Sequence, residues 1–549
     1  MDGSMNGAPL APLAQAMGAP LASVTGVPLA PAVGEMLWNG PRVGEDVEKP
    51  ANPFKPAIKD FVFALIIFVL GYLFSCWVFF TQRGWGVAAF TTAYVLTVNI
   101  YLALKGAYRP CAATFFWMAV TWATGLSYAL WDNAGFTHIR ILFLFCAAVY
   151  YAIVASGRMF SGKTSNFLPV DGLNAVVLIP FRNISNQYVS FKAISKKEKP
   201  GGKRSSVVLG LVFAVILLVC LIPMLERADS GGFRRILNTV TDLFNMSQLL
   251  EFLFYLVFAI PFAAYIYGLV SGAAHNRNVD TIQPEQAGKA AAALRFLQPA
   301  SVFISLGAIC GLYIVFILCQ TPYFFSALMG RIPDGWMNYA EYARQGFFEL
   351  CAIVVINLIA ITVSNVTCKK LRTESIVLKV FNIVLSVITL VLIATAFSKM
   401  ALYISVYGLT MPRLLPCVFM VFMAAVFIAL IALQKWDFSI VRFALVTGSV
   451  IFCILCLSNP DALVVRYNTD RYLSGTLEEY DTEVLYRAGN AGVAPAFELY
   501  RSTQDMQLKG ELRDYLESQV RQDNGMQNNW GRGANTYSLE SYRAQELLR

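Results

Sequence analysis

Three polar clusters, rich in aromatic and arginine residues, hold the side chains of this sequence that could do chemistry. They run Trp336–Glu349, Tyr407–Arg413 and Asn459–Tyr472. Glu341 and Arg344 stand three apart, a spacing at which side chains pair on a helix. Glu349 heads an apolar run, where a carboxylate entering lipid unpaired costs a few kcal/mol; it calls for a cation or a polar cavity. Arg413 and Arg466 could supply that cation, and Arg344 joins them as a third guanidinium. Together they could also receive an anionic group, because the guanidinium fork matches carboxylate and phosphate. Tyr342 and Asp461, with the neighbouring rings, would complete such a ligand-binding set. The plainer alternative is an interhelical ion network with an aromatic belt that pins helices at a membrane surface.

Other chemistry has little to stand on, and no residue is assigned to catalysis. The two histidines, His138 and His275, are too few for a haem pair or a zinc triad. Cys453 and Cys456 copy the spacing of a redox motif but lie inside an apolar run, where cysteine is packing. There is no phosphate-binding glycine loop, nucleophile elbow or kinase signature. No metal or cofactor is expected.

The elements that must position these clusters are membrane helices. The 549 residues are 57% hydrophobic and 14% charged, against about 25% charged in soluble domains. Uncharged stretches run 61–82, 84–104, 110–131, 141–157, 205–225, 252–276, 296–330, 350–368, 380–398, 414–434 and 443–460. A helix needs about 20 apolar residues to cross the hydrocarbon core, so an all-α bundle of about 11 spans is predicted over 59–460. The stretch 296–330 is too long for one crossing. Gln320-Thr321-Pro322 interrupts it, which predicts a span near 297–319 followed by an interfacial or re-entrant piece at Tyr323-Phe324-Phe325. Asn99, Asn357 and Asn382, inside spans, are expected to hydrogen-bond between helices.

Residues 1–58 form a Pro/Ala-rich leader in which Gly-Ala-Pro-Leu-Ala recurs; proline in each unit blocks helix growth, so the leader is expected to be disordered. With the N-terminus inside, the inner segments hold 24 Lys and Arg and the outer loops 9, the bias expected of a cytoplasmic face. Most of that bias sits in the inner loop 158–204, with Lys192, Lys196, Lys197, Lys199, Lys203 and Arg204. The loop is expected at the lipid surface, held by anionic headgroups at about 1 kcal/mol per charge; nucleic acid is not a fitting partner, since no stacking platform accompanies the charges. Within it, the apolar segment 173–181 is too short to cross and should lie in the interface. The outer loop 228–248 has the spacing of an amphipathic helix. Eleven crossings put the acidic tail 461–549 outside, with helices over 497–520 and 538–548 and loose coil over 524–536.

Three stretches, YARQGF at Tyr342–Phe347, YGLT…R at Tyr407–Arg413 and NPDAL…RYN…RY at Asn459–Tyr472, resemble a bacterial family of polytopic membrane proteins, the domain of unknown function numbered 4173. The resemblance spans residues 60 to 500 or so. It implies a protein of the bacterial cytoplasmic membrane and supplies no catalytic residues.

Among function classes, an embedded transferase would need an acid in an early outer loop. The first, Thr81-Gln82-Arg83, has none, and Asp132 in the second stands alone. A secondary transporter would show paired broken spans and charges at mid-depth. The composition therefore points to a non-enzymatic envelope sensor or scaffold whose tail binds an envelope partner. The alternative is a transporter or lipid-handling protein that binds an anionic group at the outer face.

Overall fold

The structure is a computed structural model; it describes residues 54–132, 134–160, 162, 164–195, 246–277, 279, 284–328, 346–527 and 536–548. Everything below concerns Lys55 onwards, one compact unit. The leader 1–53, the segment 196–245, with its expected span and amphipathic helix, and the cluster at 329–345 lie outside the described residues.

Among the described residues the fold is all-α, with no strand. The long helices are α1 (Ile58–Leu73, continued by a π-helical turn at Phe74–Phe79), α2 (Trp85–Leu104), α3 (Ala112–Leu130), α4 (Thr137–Ala155), α5 (Met246–Ala274), α6 (Pro299–Leu328), α7 (Phe347–Thr367), α8 (Ile376–Tyr407), α9 (Met411–Ala432) and α10 (Ile440–Leu457). Nine of these are long and apolar enough to cross a membrane. The other, α3, is uncharged but diluted by Thr, Trp, Ser and Tyr. Large apolar side chains cover the outside of the bundle, such as Ile304 and Leu312, 73% and 68% exposed. A surface of that kind suits hydrocarbon, not water.

Two apolar cores form inside. The first joins α1 to α5, with Phe63, Tyr101 and Tyr267 at its centre; the Phe63 and Tyr101 rings stack at 3.7 Å. Helices α1 and α5 approach closely at Gly71, where an added Cβ would stand 2.7 Å from the Ala259 carbonyl oxygen. Small residues permit such contact when lipid offers no hydrophobic drive for association. The second core joins α6 to α9 around Leu385, Met420 and Phe427. The span asparagines pair between helices as their chemistry requires. Asn357 donates to Thr389 and accepts from Tyr313, Asn365 and Asn382 exchange hydrogen bonds, and Tyr151 donates to Asn99. Helix α10 touches both cores, with Leu445 and Cys453 on the first and Ile440 and Ala444 on the second.

The helix ends sort to two faces. At one, Asp60 at the start of α1 meets Lys105 after α2 and His275 after α5, at 2.7 and 2.9 Å. Arg372 and Asp437 pair on the same side, between α7 and α8 and between α9 and α10. At the opposite face the tail folds as α11 (Pro460–Leu473), α12 (Glu483–Ala488), α13 (Val493–Ser502), α14 (Met506–Gln527) and α15 (Leu539–Leu548). These surround their own core of Val465, Leu485, Val493, Leu499, Leu512 and Tyr515. The entry to the bundle and its tail thus stand at opposite ends of the spans.

Two expectations need correction. Helix α6 runs unbroken to Leu328, so Gln320-Thr321-Pro322 does not end it. A proline removes one backbone bond, whereas leaving the helix inside lipid would free several. Second, the tail helix expected over 497–520 is two helices separated at Thr503–Asp505, and α14 continues to Gln527, into the stretch read as coil. The segment 173–181 is helical, through a π turn at Asn174–Leu178 and a turn at Ile179–Arg182; Ala175 and Ile179 pack in the first core while Leu173, Val177 and Phe181 stay exposed.

Candidate functional site

Among the described residues, a dense polar arrangement on the tail face lies where the α3–α4 connection, the α10–α11 junction and α15 meet. Helix α3 stops at Leu130, and Trp131 turns extended, its indole N–H donating to the Leu457 carbonyl at the end of α10. Arg140, in the first turns of α4, is fully buried. It donates to the carbonyls of Trp131 and Asp132 at 3.3 and 2.8 Å, and its guanidinium lies 3.6 Å from the Tyr128 ring centroid. A buried cation so held fixes the connection that carries Asp132.

Asn459 begins α11 in the left-handed region, φ 51°, and its side chain caps the helix by accepting from Ala462 N–H. Its amide also donates to Glu540 Oε1 at 2.6 Å. The second oxygen, Oε2, accepts the Asp132 backbone N–H at 3.0 Å. Asp132 uses its own carboxylate on the tail, accepting from Asn490 at 2.6 Å and Ser538 at 2.8 Å. Asp461, 2% exposed, accepts the Gly135 N–H at 3.3 Å. Three carboxyl groups therefore stitch the tail to the bundle. Burial pushes the Glu540 carboxyl up to about 7, the nearby Asp132 and Asp461 charges add to the rise, and the hydrogen bonds from Asn459 and Asp132 hold it back. Near neutral pH this site can gain or lose one proton.

The structure distributes the predicted site residues as follows. Arg413 and Asp461 share a small pocket of about 200 Å³ with Asp481, Glu483 and Arg487. Arg413 closes the α8–α9 turn, donating to the Tyr407 carbonyl at 2.8 Å and stacking 4.1 Å from the Tyr403 ring centroid. Arg466 does not join them: its side chain is 82% exposed and pairs with Asp470 one turn on. Glu349 is exposed at the head of α7. Glu341, Tyr342 and Arg344 lie outside the described residues, as do Lys196, Lys197, Lys199, Lys203 and Arg204. Lys192 is exposed, its ammonium 5.8 Å from the Tyr188 ring centroid. Among the described residues no group of three His, Cys, Asp or Glu could hold a metal ion.

Sequence reasoning missed Arg140, Asn490, Ser538 and Glu540, and treated Asp132 as isolated. The available signal was Arg140 and Asp132 together at the edge of two spans, where charges are costly unless paired. Nothing local marks Glu540, one of many acids in a polar tail.

This arrangement, a helical bundle with spans capped on one face by a folded tail, defines a polytopic all-α membrane protein. Residues 118–498, more than half of the chain, match the family described as Domain of unknown function (DUF4153), and the chain belongs to that family. The family number suggested by the three motif stretches, 4173, is therefore corrected to 4153; short motifs place a chain among domains of unknown function but do not separate neighbours. No curated protein and no solved structure matches.

Proposed function

We propose that the protein is a non-enzymatic sensor or scaffold of the bacterial cytoplasmic membrane, with its N-terminus inside and its tail on the outer face as a docking module for an envelope partner. The observation that supports this reading is the seating of the tail. Helices α11–α15 have a core of their own, and Asp132, Asn459, Asp461 and Glu540 tie them to two separate span ends. A module seated this way transmits force or position between its partner and the spans. The Lys192–Arg204 segment then faces the inner leaflet and its anionic headgroups.

The test places a Ser502→Cys label in a background with the native cysteines replaced, and treats intact cells with a membrane-impermeant maleimide. Photo-crosslinkers at Met506 and Tyr542, 79% and 63% exposed, then report tail neighbours. Labelling before lysis together with a discrete crosslinked partner is the expected result. Labelling only after lysis, or no discrete adduct from either position, overturns the reading.

A second reading, a transporter or lipid-handling protein that binds an anionic group, draws support from Arg413, which lines a pocket beside the Arg487–Glu483 pair. It expects anion binding that is lost in Arg413→Ala and Arg344→Ala.

A further inference from the structure

A cavity of about 420 Å³ opens inside the first half of the bundle, between the π turn after α1, α2, α4 and α5. We infer that it is a binding site for one acyl chain of a membrane phospholipid, entered from the leaflet on the tail face. This goes beyond the sensor or scaffold reading and does not depend on which face is outside.

Depth comes first. Phe74 and Val78 precede the tail-face end of α1, Phe90 and Tyr94 follow the tail-face start of α2, and Ile141 and Phe145 follow that of α4. The cavity therefore reaches from near the tail-face ends of these helices to about mid-span, where Ala148, Val149 and Ile266 line it. Its size lies in the range of small-molecule sites, which run about 300–1,000 Å³.

The chemistry of the wall comes next. The lining is almost wholly Phe, Leu, Ile, Val and Ala. Its span hydroxyls are directed into the backbone, Thr91 donating to the Val87 carbonyl at 2.8 Å and Tyr94 to the Ala148 carbonyl at 3.0 Å. Those protons are spent, so the wall offers water poor anchorage and hydrocarbon a continuous surface. Apolar cavities of this kind stay dry and take apolar guests.

The backbone supplies an independent observation. The π-helical turn Phe74–Phe79 widens α1 where it borders the cavity and contributes Phe74, Val78 and Phe79 to the wall. Such turns are rare and concentrate at functional sites. Phe74 is held by stacking on Phe262 of α5. At the mouth stands Gln82, whose amide nitrogen is engaged by the Phe79 carbonyl. The next residue, Arg83, is exposed. A chain inserted from this side brings its phosphate to a cation, and that charge match favours a phospholipid over a neutral hydrocarbon guest.

The test reconstitutes the full chain in nanodiscs containing a phosphatidylglycerol with a diazirine in one acyl chain, then maps adducts by peptide mass spectrometry. Adducts should concentrate on residues 74–79 and 141–149. Ala148→Phe, which fills the cavity, should abolish most of them, while Leu96→Phe, on the lipid-facing side of α2 and 55% exposed, should leave them unchanged. Gel filtration and thermal melting verify folding; if Ala148→Phe fails to fold, Val78→Phe takes its place. Adducts spread evenly over lipid-facing helices, or cavity adducts that persist in a folded filling variant, mean surface lipid only and overturn the inference.

Discussion

Asp132 and Glu540 stand 408 positions apart, yet the backbone N–H of the first donates to the carboxyl of the second at 3.0 Å. The contact ties the last helix of the chain to the connection between the third and fourth. Glu540 is 7% exposed, and its neighbours include two further carboxyl groups, so its protonation state bears on whether α15 stays seated.

The pH dependence follows from an ordinary carboxyl value of 4.5 raised to about 7 in the seated helix. Between those values the seated form holds a proton that the released form lacks, so seating weakens as pH rises. The contribution is complete below the ordinary value and is lost on rising through the seated one, a change on the order of 3 kcal/mol at 1.36 kcal/mol per unit. Amide exchange over 539–548, corrected for intrinsic rates, should show stronger protection at about pH 5 than at about pH 8. Glu540→Gln should flatten that difference. Equal protection at both values in the native chain would refute it.

The Asp132 carboxylate accepts from Asn490 and Ser538. Asp132→Ala leaves both donors without their acceptor and should destabilise the seated tail by about 1–3 kcal/mol. A double-mutant cycle with Asn490→Ala should return a coupling of about 0.5–3 kcal/mol. Strict additivity would mean that the pair does not act together.

At the opposite face, Asp60 is fully buried and meets Lys105, Tyr101 and His275. Asp60→Ala removes the shared acceptor of α2 and α5 and should cost about 3–5 kcal/mol, the scale for breaking a buried ion pair. Thermal melting in detergent reads the loss. Lys55→Gln, at an exposed position nearby, should stay within about 0.5 kcal/mol of the native chain.

Gly408 joins α8 to α9 with φ 76°, and an added Cβ would stand 2.7 Å from Asn468 Oδ1. That oxygen accepts the Leu409 N–H, and the Asn468 amide donates back to the Leu409 carbonyl. Gly408→Ala should therefore strain the backbone and break a bond between the tail and the bundle, at about 1–3 kcal/mol. A melting temperature equal to that of the native chain would contradict this.

The spans were legible in the sequence because lipid makes one local demand, an uncharged apolar run long enough to cross. The same demand explains one misreading, since Pro322 breaks a pattern without breaking the helix that the membrane enforces. The pairing of helices was not legible. Asn357 could be read as hydrogen-bonded, but nothing along the chain names Thr389 and Tyr313 as its partners. For the candidate site, Arg413 and Asp461 were singled out and do share a pocket. Arg466, drawn into the same set by proximity in sequence, faces away because it shares the exposed side of α11 with Leu463, while Val464 and Val465 turn into the tail core. Glu540 gained its importance only from what the fold brings to it.

Helix α10 is shared by the two apolar cores, and that has a consequence for biogenesis. Helices α1–α5 and α6–α9 each complete a packed interior from segments that leave the ribosome together, so either half can settle while the rest is still being made. The helix that joins them is the last of the described long apolar helices to be synthesised. A nascent chain stalled before Ile440 would lack the helix that packs on both described cores, and release of the next eighteen residues would supply it. Only then is there a platform on which the tail can close.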